Sequence, residues 1–235
     1  MSNYLSEIYE EILMLVLNTE KGTVIPGYYD FSGAGAVLAE LILNGCISVD
    51  GSKKQLVKVH SITPKSSSVL TECFERIKSA DKPVSLKRWV YRLGTMKKLR
   101  YKMLSELCSK GILIEKEQKY LKFFTRRIYK SQDSRIREEI VTKLRDFTVD
   151  GVTSGKPDKR TVILLSILFN SGLLGTFLNR KEIKKYKKQI AIITSGEITG
   201  KEVKKIISAY QSVLAAAAAA PAIFAGTYGV SSPVG

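Results

Sequence analysis

A chain of 235 residues with 44% hydrophobic side chains can bury a sizeable core, as one large domain or two small ones. Thirty-eight Lys and Arg against 22 Asp and Glu leave a net charge of +16, which points to a polyanionic partner: nucleic acid, an anionic membrane surface or an acidic protein. The plain alternative is a Lys-rich protein with well-solvated faces. Three cysteines, Cys46, Cys73 and Cys108, are odd in number and far apart. That spacing fits neither a zinc site nor a redox pair; it suits small buried apolar residues in a reducing compartment. The N-terminus carries no charged n-region, apolar h-region or small-residue cleavage site, so no secretory signal is expected.

In chain order, the apolar spacing of Leu5, Ile8, Tyr9, Ile12, Leu13 and Val16 predicts a helix over Tyr4–Leu17. Thr23–Gly35, rich in Gly, Pro and Tyr, reads as a loop, followed by a short apolar helix over Ala36–Leu43. Cys46–Val49 and Leu56–Ile62 form a hairpin around Asp50-Gly51. Helices follow over Val69–Ser79, with Leu70, Cys73, Phe74 and Ile77 inward, and over Val84–Leu93, which carries the one tryptophan, Trp89.

The stretch around which the chain is organised comes next. Lys97–Lys110 is a basic amphipathic helix: Leu99, Met103, Leu104 and Leu107 make a core stripe, with Lys97, Arg100 and Lys102 largely off it. Gly111 sits where a helix C-cap wants tolerance of positive φ. Ile112–Ile114 and Tyr120–Phe124 follow as short strands around a polar turn, Glu115–Lys119, and offer Ile112, Ile114, Leu121, Phe123 and Phe124 to a membrane or a second copy. From Lys97 to Lys130, eleven Lys and Arg face three Glu, half of the whole net charge.

Ser134–Phe147 is an amphipathic helix and Thr148–Lys156 a loop. Thr161–Leu178 has no charge and is long enough to suggest a membrane span, but Asn170, Ser171, Gly172 and Gly175 interrupt it, which favours a buried central helix. Asn179–Ile193 pairs a cationic stripe (Lys181, Lys184, Lys185, Lys188) with an apolar one. Such a helix lies on an anionic bilayer or, more often, packs one side and solvates the other. Thr199–Ala220 is the last helix; residues 221–235 form a flexible Ala/Gly/Pro/Ser tail, so 1–220 make one domain.

Catalytic chemistry is hard to nominate. His60 stands alone on a strand, without a triad, metal spacing, P-loop or dinucleotide fingerprint. Gly33-Ala34-Gly35 follows a loop rather than a strand. The chain reads as a binding protein with no cofactor and no metal site.

Several segments resemble the Golgi phosphoprotein three family in matching order: LSEIYEEILMLVLN at Leu5–Asn18, GAVLAELILNGCISVD at Gly35–Asp50, VLTECFERIK followed by RWV at Arg88–Val90, LRYKMLSELCSKGILIEKEQKYLKFF, and KRTVILLSILFNSGLL. The resemblance implies a mainly α, single multi-helix domain with a protruding β-hairpin. It implies a non-enzymatic peripheral membrane protein, on the cytosolic face of the Golgi in eukaryotes, that binds phosphatidylinositol 4-phosphate and helps retain client membrane proteins. It also implies homo-oligomers through the hairpin.

In that family a loop tryptophan, an arginine before the L-x-E-L helix and two arginines three apart on the basic helix hold the lipid. Here the arginine pair falls on Lys97 and Arg100, with Lys102 adding a cation, and the tryptophan falls near Tyr28 and Tyr29. The remaining arginine falls on Ala34, and Lys lacks the bidentate fork of Arg. The chain also starts almost at its first helix, without the basic arm used on coatomer, and the expectation is a divergent or prokaryotic member. The expected partner is an anionic phospholipid headgroup. A winged-helix nucleic-acid binder, suggested by a basic helix before a hairpin, is the alternative.

Overall fold

The computed structural model describes residues 5–24, 28–65, 67–96, 98–120, 124–150 and 158–195. Helix α1 (Ile8–Val16) starts where the Glu10 carboxylate reaches back to accept from the Ser6 and Glu7 backbone N–H groups, at 2.9 and 3.2 Å. Its residues are buried almost all round, from Ile8 to Leu15, so it lies at the centre and not on one side. A two-residue ladder, β1 (Leu17–Asn18) with β2 (Thr23–Val24), turns the chain into α2 (Tyr28–Leu43).

Helix α2 is twice the length that the sequence suggests. The segment over residues 28–35, expected as loop, is helical and packed: Phe31, Ala34, Ala36, Val37, Leu38, Ala39 and Leu41 are all buried. Gly33 is there because a Cβ would sit 3.0 Å from the Tyr29 ring. The helix cost of Gly, about 1 kcal/mol, is offset by that close approach.

Strands β3 (Ile47–Val49) and β4 (Val57–Val59) pair antiparallel, Ile47 opposite Val59, as expected. Asp50 Oδ1 closes their connection by accepting from the Ser52 hydroxyl and the Leu56 N–H, at 2.7 and 2.9 Å. Helices α3 (Ser68–Lys78) and α4 (Leu86–Gly94) are capped by Ser67 and Ser85. Helix α5 (Leu99–Ser109) buries the expected stripe, Leu99, Met103, Leu104 and Leu107.

The hairpin that follows is longer than expected. Strands β5 (Leu113–Tyr120) and β6 (Phe124–Ser131) pair over eight residues, Leu113 opposite Ser131 and Tyr120 opposite Phe124. Glu115–Lys119 is therefore strand, not turn. Both strands are exposed along their polar middle and held by cross-strand pairs, Arg127 to Glu115 at 3.2 Å and Arg126 to Gln118 at 2.7 Å. The root is fixed by the Tyr129 N–H on the Gly22 carbonyl at 2.7 Å. Gly22 has φ +65°, and a Cβ there would come within 2.8 Å of the Tyr129 carbonyl oxygen.

Helix α6 (Ser134–Asp150) turns Ile136, Ile140 and Leu144 inward. The uncharged stretch forms α7 (Lys159–Asn170), buried from Thr161 to Leu168, and stops at Gly172 with φ +69°. Among the described residues no helix is long and apolar enough to cross a membrane. Asp158 caps α7 by accepting from the Arg160 and Thr161 N–H groups and the Thr161 hydroxyl. Asp158→Ala should cost about 1 kcal/mol, read as a lower urea midpoint with unchanged slope.

After a 3₁₀ turn (Leu174–Thr176), α8 (Arg180–Ser195) buries Ile190 and Ile193 and packs on α7, leaving its lysines outward. One apolar cluster runs through all eight helices found among the described residues. The architecture is mainly α with three small antiparallel ladders. The expected last helix and tail, residues 199–235, lie outside the described residues.

Candidate anion-binding face

Three helix ends meet beside the basic stretch. Phe31, in the first turn of α2, stacks on Tyr91 near the end of α4, with ring centroids 6.4 Å apart. Gly94 closes α4 directly against the Phe31 ring. From α5, the Arg100 guanidinium reaches Asp30 of α2, 3.3 Å from Oδ1, and also lies over the Tyr101 ring at 5.5 Å. The N-cap of α5 is Lys98, a side chain with no acceptor to offer the first N–H groups. A helix start wants negative charge; this one is flanked by cations.

Arg100 and Lys102 diverge. Arg100 turns to α2, whereas the Lys102 ammonium bonds Glu72 on α3. That bond, with a smaller contribution from Arg76, holds the Glu72 carboxyl below its ordinary range. Both cations expected to meet phosphate thus already have a carboxylate. Neither Asp30 nor Glu72 could be foreseen, since they lie 70 and 30 residues away in the chain.

Tyr29 does not reach the surface. It is 1% exposed, with its hydroxyl 2.9 Å from Met103 Sδ and 3.4 Å from the Tyr9 carbonyl, and burial drives its pKa well up. Tyr28 opens α2 and Phe124 opens β6. Lys97, Leu121 and Phe123 lie outside the described residues. Of the hairpin set, Ile112 is in the core at 2% exposure, beside Leu113, while Ile114 is exposed. The hairpin root is therefore packing, and the apolar contribution expected of it rests on Ile114 and the tip.

Other polar groups are used up in holding helices together. The Tyr9 hydroxyl donates to Glu106 Oε1 at 2.8 Å and lies 2.9 Å from Ser67 Oγ; Glu106 Oε2 accepts from Ser68 Oγ at 2.8 Å and the Val69 N–H at 3.2 Å. Burial works to raise the Glu106 carboxyl, but these donors outweigh it and keep it below the usual range. His60, exposed, shares a 2.8 Å hydrogen bond with Ser48. Cys46 and Cys73 are buried, and burial pushes the Cys73 thiol up to about 12. Among the described residues no cluster of His, Cys, Asp and Glu could hold a metal.

The family model of Golgi phosphoprotein 3 (GPP34) matches residues 8–210. The chain belongs to that family. No curated protein matches it. The Golgi phosphoprotein 3 match opens at Ile8, the first residue of α1, and runs past the end of α8. It therefore takes in the core and the α2–α4–α5 face alike.

Proposed function

We propose that this protein is a non-enzymatic peripheral membrane protein that binds anionic phospholipid headgroups, with a phosphoinositide such as phosphatidylinositol 4-phosphate as its ligand. The observation that carries the reading is the cationic start of α5, where Lys98 offers no side-chain cap and Arg100 is held against α2 by the Asp30 carboxylate in a mostly buried pair. A phosphate of charge −2 competes with Asp30 for Arg100 at the N-terminal turn of α5, where the helix dipole favours an anion. Ile114 and the hairpin tip supply shallow apolar insertion, the second signal that stable but reversible attachment needs. The same tip supports self-association, and retention of client membrane proteins fits the family.

Co-sedimentation with vesicles tests this, comparing phosphatidylcholine alone, phosphatidylcholine with phosphatidylserine, and vesicles of equal charge containing phosphatidylinositol 4-phosphate. Binding should prefer the phosphoinositide at matched charge and weaken with salt. Lys97/Arg100/Lys102→Ala should lose on the order of 100-fold, at about 1 kcal/mol for each basic residue. Unchanged binding by that variant would overturn the reading. Failure on every vesicle together with salt-steep binding to duplex DNA would favour the winged-helix alternative.

A further inference from the structure

The face just described leaves a second group of cations unused. One turn apart on α4, Arg88 and Arg92 point along a flank different from that of Tyr91, and both line a cleft of about 680 Å³. Lys54, from the β3–β4 connection, and Lys82, from the α3–α4 connection, line it as well. All four side chains are exposed. No hydrogen bond or ion pair to a carboxylate within the described residues satisfies any of them. Asp81 is the one acid in the lining, which leaves an excess of three positive charges around one concavity. Arg100, Lys102, Lys110, Lys143 and Arg160 each hold a carboxylate, whereas these four cations converge on one cleft without one.

The cleft is also built, not draped. The segments that bring the cations together are tied by backbone bonds: Val57 N–H to the Val84 carbonyl at 3.0 Å, and Leu86 N–H to the Gln55 carbonyl at 2.9 Å. Gln55 adopts φ +50° to make the second bond, a conformation that side chains other than Gly seldom take. The lining includes Leu56, Pro83 and Val84, apolar groups that lower the local dielectric and focus the field of the cations. Ser85 Oγ accepts from the Arg88 N–H at 3.3 Å and keeps its own proton to donate.

We propose that this cleft is a second anion site, which takes a group bearing two or more phosphate charges, with Arg88 and Arg92 as the fork-shaped ligands and Lys54 and Lys82 closing the opposite side. Planar guanidinium forks suit phosphate oxygens, and lysines add point charge. The chemistry is that of a diphosphate or a multiply phosphorylated headgroup. It goes beyond the lipid reading of α5, because no residue of the α2–α5 face takes part.

The molecule carries its own reporter. Trp89 is the one tryptophan, and the Arg92 guanidinium lies 5.1 Å from its ring centroid. Inorganic pyrophosphate, titrated in a phosphate-free buffer, should change Trp89 emission saturably, with weaker binding as salt rises. Calorimetry on the same samples gives the affinity. Arg88→Gln/Arg92→Gln, and independently Lys54→Glu/Lys82→Glu, should each weaken pyrophosphate at least tenfold. Arg100→Gln/Lys102→Gln should leave pyrophosphate unchanged while weakening vesicle binding, so the two sites fail separately. Urea midpoints confirm that each variant is folded.

Inositol 1,4,5-trisphosphate and phosphatidylcholine vesicles containing phosphatidylinositol 4,5-bisphosphate separate the sources. If the soluble compound competes and the vesicles do not, a free phosphate ligand is supported. If vesicle binding falls with Arg88→Gln/Arg92→Gln, a headgroup is. No saturable response, or pyrophosphate binding that both charge variants leave intact, would overturn the proposal.

Discussion

Arg160→Ala should destabilise the protein by about 3 kcal/mol at pH 8 and by much less at pH 5. The residue it strips is Glu40, on α2, whose side chain is completely buried. Glu40 Oε1 accepts from the Ile8 N–H at 2.6 Å, and Arg160 spans both carboxylate oxygens, Nη1 to Oε2 at 3.1 Å and Nη2 to Oε1 at 2.5 Å. The same guanidinium bonds the Ser6 carbonyl, so one side chain of α7 fastens α2 and the entry to α1. Removing one partner of a buried pair costs about 3–5 kcal/mol; the lower end applies here because Arg160 itself is partly exposed.

The pH dependence has a definite sign. Burial lifts the Glu40 carboxyl from 4.5 to about 7, although Arg160 pulls it down. The folded state therefore holds this proton more tightly than the unfolded chain. The stability that the group contributes is full below pH 4.5 and is lost as pH rises through 7, at up to about 1.4 kcal/mol per pH unit. Without Arg160 the carboxyl moves higher still, and the loss continues above pH 7. Urea unfolding of both proteins at pH 5 and pH 8 reads the difference directly. An equal cost at the two pH values would mean that Arg160 acts through packing and not through Glu40. Glu40→Gln, which cannot titrate, should flatten the slope of the parent protein between these pH values.

Amphipathic helices were legible because their burial follows their own periodicity. Leu70, Cys73, Phe74 and Ile77 of α3, the α5 stripe and Ile136, Ile140 and Leu144 of α6 are buried where spacing puts them. Helix α2 was not, since its glycines and tyrosines are local signals for a loop, and what makes it helix is burial against α1 and α4. Tyr29, its second residue, points into the core and is closed to a surface site. Strand β5 hides its period for the opposite reason. Glu115–Lys119 has no apolar face to alternate, and only the partner strand reveals its pairing. The cations of α5 could be counted from sequence, but not the carboxylates they meet. The cleft of Arg88 and Arg92 depends on an antiparallel bridge between Leu56 and Ser85 that no local pattern announces.

Gly94→Ala should destabilise the protein by about 1–3 kcal/mol, against the helix propensity of the change. Propensity alone favours Ala over Gly by up to about 1 kcal/mol in a helix interior, and less at a last turn such as this one. Packing decides otherwise. A Cβ at Gly94 would sit 2.4 Å from Phe31 Cδ1 and 2.8 Å from Cε1, far inside van der Waals contact. The ring is 4% exposed and stacked on Tyr91, so it has no free side to swing towards, and α2 must move relative to α4. Asp30 precedes Phe31 on α2 and holds Arg100, so the same shift should loosen the start of α5 and weaken binding to phosphatidylinositol 4-phosphate vesicles. Phe31→Leu removes the clashing ring edge. Combined with Gly94→Ala it should cost less than the sum of the two single changes, a coupling that a double-mutant cycle in urea would measure. Stabilisation by Gly94→Ala, or strict additivity with Phe31→Leu, would mean that α2 and α4 do not meet at this ring. The anion-binding face would then need a different frame.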